Sequence, residues 1–228
     1  MPMTLLKLLS TRVVVFGLAF LSFACLLGQF YGLWTMRLFG CLVLPPATAL
    51  LMYIAYRHRG NTDGRQRRSV ALQRSDPYTW IVHGALAGVV AAVAYDLYRL
   101  PFVLGGAPLF KVFPRFGELL LGATGPRWAV HALGWTYHFS NGAALGIMFL
   151  ALVTYFRRPS FFWGAVVWAL FVEMMLLLTP YTGFFGLTLN GWFLFLTVSA
   201  HLVFGISLGT YCRLKLGPKL QGKASAFG

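Results

Sequence analysis

Asp96, His138, Glu173 and His201 each stand inside an apolar run long enough to cross a bilayer. Hydrocarbon makes such side chains costly, so they normally face a protein interior or a water-filled cavity, and they are functional candidates by default. Proton exchange and ion coordination are the chemistries open to them. The two histidines share a signature, His138-x3-Gly142-x3-Gly146 and His201-x3-Gly205-x3-Gly209. Glycines four apart let two helices approach closely. Each signature therefore presents one imidazole to a tightly packed seam.

The other polar residues define what these four can do. Asp96 and Arg99 are three apart on one helix, a spacing at which they can pair and neutralise each other as a structural ion pair. Glu173 has no basic residue in its own span. It must be protonated, paired with another helix or facing water, which suits a proton carrier or a ligand. His131 and Arg99 are the candidate partners and act as the supporting shell of the site. A rise of about 1.5 Å per residue in a core about 30 Å thick places His138 and His201 near the midplane. Asp96, Arg99, His131 and Glu173 then fall in the periplasmic third, and His83 near the cytoplasmic face.

His131 and His138 share a helix face but are about 10 Å apart along it, too far to hold one metal ion. A metal site requires His138 together with His201. Two imidazoles at one depth, with glycines beside each, also suit a bis-histidine haem iron. A third reading makes both histidines structural, hydrogen-bonded across helix pairs. The cofactor stays open among metal, haem and none. The chain carries no P-loop, dinucleotide fingerprint, nucleophile elbow or His-Glu-x-x-His, which leans away from an enzyme.

The elements that must position these residues are helices. Apolar residues make up 58% of the 228 positions and charged ones only 11%, a balance that soluble domains do not show. Six runs approach the roughly 20 residues a span needs: 13–36, 38–56, 79–104, 128–156, 161–180 and 192–212. The formal charge of +14 sits in the connections, where lipid headgroups and topology account for it; nucleic-acid binding is not expected. With six spans, Lys7, Arg12, the six arginines of 57–74, Arg157, Arg158 and the basic tail share one side, against Arg37, Lys111, Arg115 and Arg127 on the other. The positive-inside rule then puts both termini in the cytoplasm of a cell with an inner membrane. Ser22-Phe23-Ala24 before Cys25 offers a cleavage site, but the 24 uncharged residues from Val13 to Met36 are long enough to span, which favours an intact first helix. Cys25, Cys41 and Cys212 lack ligand spacing and imply no disulfide framework.

The chain divides into an N-terminal two-helix hairpin over 1–56, an Arg-rich cytoplasmic linker over 57–78, a four-helix membrane domain over 79–212 and a basic cytoplasmic tail over 213–228. Pro45-Pro46 predicts a kinked or broken second span. The four-helix domain reads as a duplication, with hairpins 79–156 and 161–212 in the same orientation as a parallel tandem repeat. Each opens with an Arg six residues before a Trp, Arg74 to Trp80 and Arg157 to Trp163. Measured from these tryptophans the acids fall out of register, Asp96 being 16 residues on and Glu173 only 10. Residues 107–121 are too short to span and read as an interfacial or re-entrant segment, a headgroup anchor ahead of a lid.

Gly84, Gly88, His138, Gly142, Gly146, His201, Gly205 and Gly209, with the returning helix His-Leu-Val-Phe-Gly-Ile-Ser-Leu-Gly, give residues 79–212 a pattern that resembles a family of small polytopic bacterial membrane proteins of unknown function. The resemblance implies a fold and a bacterial inner membrane, and no activity. The expectation is thus an all-α integral membrane protein of six transmembrane helices, whose polar intramembrane pocket binds or passes a small ion, proton or metal. The alternatives are an accessory subunit of a membrane complex and a haem b electron carrier. Expected partners are the bilayer, anionic headgroups at the cytoplasmic face, and another membrane protein or a second copy.

Overall fold

The computed structural model describes residues 2–59, 76–122, 124–156 and 160–216, with side chains from Thr11 onward. Most of the 57–78 linker and the tail beyond 216 lie outside the described residues. Helix α1 covers Pro2–Phe30, α2 Met36–Leu42 and α3 Leu44–Arg59. Helix α4 opens with a π turn at Thr79–His83 and continues over Gly84–Leu104. A 3-10 turn at Pro108–Lys111 leads into α5, Val112–Leu121. Then come α6 (Arg127–Val153), α7 (Phe161–Leu177), the single turn α8 (Tyr181–Phe184) and α9 (Gly191–Leu216). No strand occurs among the described residues.

Among the described residues, five segments are long and apolar enough to cross a membrane: Thr11–Phe30, Met36–Arg59, Thr79–Leu104, Arg127–Val153 and Gly191–Leu216. The run 161–180 does not make a sixth of that length. Its helix α7 stops at 17 residues, about 25 Å of rise against a core of about 30 Å. Large apolar side chains point outward on these helices, among them Val13, Leu97, Val167 and Leu202, which suits hydrocarbon surroundings.

The second segment is broken where its prolines demand it. Thr35 caps α2 by accepting from the Leu38 amide at 3.3 Å, and the α-helix is interrupted at Val43. Pro45 and Pro46 then occupy the first turn of α3, where the missing N–H groups would have had no helical partner.

Small residues decide which helices pack. Helix α4 lies between α6 and α9, and α9 carries α7 on its other side, while α1 and α5 pack on α6. At the α4–α6 crossing, Gly88 meets the Gly142 backbone and Gly84 that of Gly146 and Ile147. At the α7–α9 crossing, Gly205 lies against Ala165, Val166 and Ala169, and Gly209 against Phe161 and Phe162. Any Cβ at these glycines would strike the facing helix, nearly always its backbone, so the axes are as close as glycine permits.

Two expectations change here. Residues 107–121 are not held by amphipathicity alone: α5 is dovetailed into α6, Gly117 against the Val130 carbonyl and Gly134 against the Phe113 carbonyl. Its face of Val112, Phe113, Phe116 and Gly117 is buried, because two glycines again remove the barrier to contact. Arg12 is not a loop charge either. It is buried within α1, donating to the carbonyls of Ala151 and Thr154 and to Thr154 Oγ1 at 3.0–3.3 Å. Its guanidinium lies 4.4 Å from the Trp80 ring. A cation there caps the end of α6, whose last carbonyls have no helical partners.

Candidate functional site

Asp96 and Glu173 each meet the histidine of a helix that packs against their own. His138 Nε2 on α6 lies 2.8 Å from Asp96 Oδ2 on α4. His201 Nδ1 on α9 lies 2.9 Å from Glu173 Oε2 on α7. Side-chain reach thus bridges the axial offset between acids and imidazoles that the rise-based placement gives. The glycine crossings also correct the tryptophan register. Asp96 stands eight residues beyond Gly88, and Glu173 seven beyond Val166, which faces the corresponding glycine of α9.

The two pairs differ in their surroundings. Asp96 Oδ1 is 3.6 Å from Arg99 Nη1, close enough for charge attraction but without a hydrogen bond. Arg99 donates instead to the Leu109 carbonyl at 2.7 Å, tying α4 to the turn ahead of α5. Its guanidinium also lies 4.6 Å from the Tyr95 ring and 5.2 Å from that of Phe110. Glu173 is only 2% exposed. Thr197 Oγ1 donates to its Oε1 at 2.7 Å, and the Thr197 carbonyl lies 2.9 Å from His201 Nδ1. The Nδ1 hydrogen is aligned on that carbonyl, so Glu173 Oε2 is near the ring without an aligned donor. Thr197 and His201, not His131 or Arg99, are the contacts that hold Glu173. His131 lies on an exposed face of α6 and takes no part.

Tyr95 joins the pairs. Its ring centroid is 5.1 Å from that of His201 and 6.2 Å from that of His138. Phe113, delivered by α5, covers His138 at 4.3 Å. Two cavities adjoin this aromatic wall. One, about 110 Å³, is lined by His138, His201, Asn141, Arg99 and Tyr95. The other, about 30 Å³, is lined by Glu173, Thr197, Arg99, Tyr95 and Tyr181, room for about two waters. Glu173 Oε2, which lacks a hydrogen bond and belongs to a residue lining the smaller space, is a place where a water or a proton is favoured.

A further polar line leads from the larger cavity to α1: Ser22 Oγ and Asn141 Oδ1 are 2.7 Å apart, and Tyr137 donates to the Ser22 carbonyl at 2.7 Å. Tyr95, Asn141 and Thr197 had no signal as isolated residues. Thr197 could have been found from its spacing, one helical turn before His201.

The cofactors left open by sequence fit poorly. No group of three or more His, Cys, Asp or Glu side chains is placed to hold a metal among the described residues. A haem does not fit between the two rings. The space there is about 110 Å³, below the roughly 300–1,000 Å³ of ligand sites, and Gly142 and Gly146 are filled by the α4 backbone.

No protein-family model, no curated protein and no solved structure matches this chain.

Proposed function

We propose that this chain is a polytopic inner-membrane protein that exchanges protons, or a proton-coupled small ion, through the paired sites around Tyr95. The observation that carries it is the recurrence of one unit: in each of two helix pairs an acid from one helix meets a histidine from the other, Asp96 with His138 and Glu173 with His201. A carboxylate beside an imidazole can hold one proton in either of two positions, and a second such pair across an aromatic ring offers a place to pass it on. Glu173 Oε2, without a hydrogen bond on a residue that lines the smaller cavity, supports exchange over pairing alone.

The same unit supports a tandem repeat of α4–α6 and α7–α9, with the glycine crossings in matching places. Six crossings follow if α7, the short one, completes its passage through the turn at Leu178–Phe184. An even number keeps both basic ends on the cytoplasmic side, as the charge asymmetry of the loops requires. The likeness to small bacterial membrane proteins points to the same membrane.

Reconstitution into vesicles with an entrapped pH dye tests the function. The wild-type protein should dissipate an imposed pH gradient above the rate of empty vesicles, and Asp96→Asn with Glu173→Gln should return it to that background while folding normally. A double variant that conducts like the wild type, or a wild-type protein no faster than empty vesicles, would reject proton exchange.

A further inference from the structure

The larger cavity continues beyond its polar residues. Its walls run along Asn141 and Leu145 on α6 and Leu176 and Val172 on α7. About one turn further along these helices begins a groove of about 490 Å³, apolar throughout, between Phe149 and Phe156 on one side and Trp163 and Phe171 on the other. The groove exists because Gly205 and Gly209 draw α7 onto α9, leaving only slight contact between α7 and α6. Trp168, in its wall, holds a buried indole N–H with no hydrogen-bond partner. Leu145 and Phe149 on α6, and Val172 and Trp168 on α7, stand one turn apart between a polar inner hollow with two imidazoles and an aromatic outer one, and the size of the groove alone falls in the range of ligand sites.

We propose that the two hollows join as one α6–α7 cleft that binds a hydrophobic molecule with a small, uncharged, oxygen-bearing head, its head in the His138/His201 cavity and its hydrocarbon in the aromatic groove. This deepens the proton-exchange reading and rests on the same two acid–histidine pairs. The depth of the polar end decides the charge of the head. His138 and His201 lie near the middle of their helices, so a head reaching them laterally passes through hydrocarbon, where a charged group is costly and a carbonyl or hydroxyl far less so. The groups waiting there match an oxygen: Asn141 and the ring nitrogen of each histidine that its carboxylate does not use. A phospholipid would behave differently, its head held at the interface while a chain entered the groove from the outer end without reaching the imidazoles.

The test uses the full chain in phosphatidylcholine nanodiscs and two photoactivatable probes, hexadecanol and hexadecane each carrying a diazirine, with labelled residues located by mass spectrometry. The alcohol should label the walls of the α6–α7 cleft in excess over outward Leu97 and Leu202, and the alkane should not. Gly164→Leu should abolish the excess by filling the groove. A Cβ there meets Val153 and Phe149 at 3.4 and 3.6 Å, ordinary contact that a folded chain accommodates. Val167→Trp, filling the groove from an exposed position, should do the same if Gly164→Leu proves unstable. His138→Gln with His201→Gln should make the alcohol label as evenly as the alkane. Identical patterns for the two probes, meaning lipid chains alone fill the groove, would overturn the proposal, as would undiminished labelling in both filled variants. Specific labelling without proton flux would retain the binding site and reject only the exchange reading; flux without specific labelling would do the reverse.

Discussion

Thr197 serves both members of the second pair, its hydroxyl on Glu173 and its carbonyl beside His201. Thr197→Val keeps the shape and the carbonyl but removes the donor, leaving Glu173 Oε1 buried and unpaired. The expected cost is about 1–3 kcal/mol, read as a lower unfolding temperature in detergent; an unchanged temperature would mean another group holds Glu173. Tyr137→Phe deletes a single interhelical bond to the Ser22 carbonyl, and such bonds in membranes average about 0.6 kcal/mol. Its effect should therefore be clearly the smaller of the two when both variants are melted side by side.

At the scale of the helix, close approach and end-capping are separate supports. Gly88→Leu places a side chain against the Gly142 backbone, where nothing can rotate away. The α4–α6 pair must separate, costing about 1–3 kcal/mol or more and pulling Asp96 from His138. Gly17, where a Cβ would meet nothing within 4 Å, is the control: Gly17→Leu should leave the melting profile near that of the wild type, and equal losses at both sites would remove the seam from the account. Arg12→Met strips the terminal carbonyls of α6 of their donor. Leaving them unpaired should cost about 1–3 kcal/mol, and hydrogen exchange should rise at the end of α6 before anywhere else in that helix.

For the molecule as a whole, the proposed six-crossing topology would put the 60–70 linker inside and the connection before α9 outside. In a Cys41→Ser background, a membrane-impermeant thiol reagent applied to intact cells should modify Leu189→Cys and spare a cysteine placed in the linker. Modification of the linker cysteine from outside would invert or break the arrangement. Five crossings would put the N-terminus and the end of α9 on opposite faces, which the same reagent detects at Lys215→Cys.

How much could be read from the chain differs by residue. The long apolar runs, the break ahead of Pro45-Pro46 and the candidacy of Asp96, His138, Glu173 and His201 all follow from composition and spacing, because hydrocarbon length and the missing proline N–H act locally. Pairing is not local. Depth alone offers Glu173 only His131 or Arg99, yet the glycines of α9 draw α7 alongside it, and Thr197 and His201 are the neighbours that result. Sequence does not show that the open end of α6 comes to lie beside Arg12. A short amphipathic stretch such as 107–121 can serve a headgroup or a groove, and only Gly117 and Gly134 show that one of its faces fills a groove on α6. Sequence by itself determined which side chains were too costly to be idle, since that cost depends only on residue type and the apolar run around it. Tertiary structure alone decided which of them meet, because contact depends on how near two helices can come, and at both crossings that distance is set by the glycine opposite.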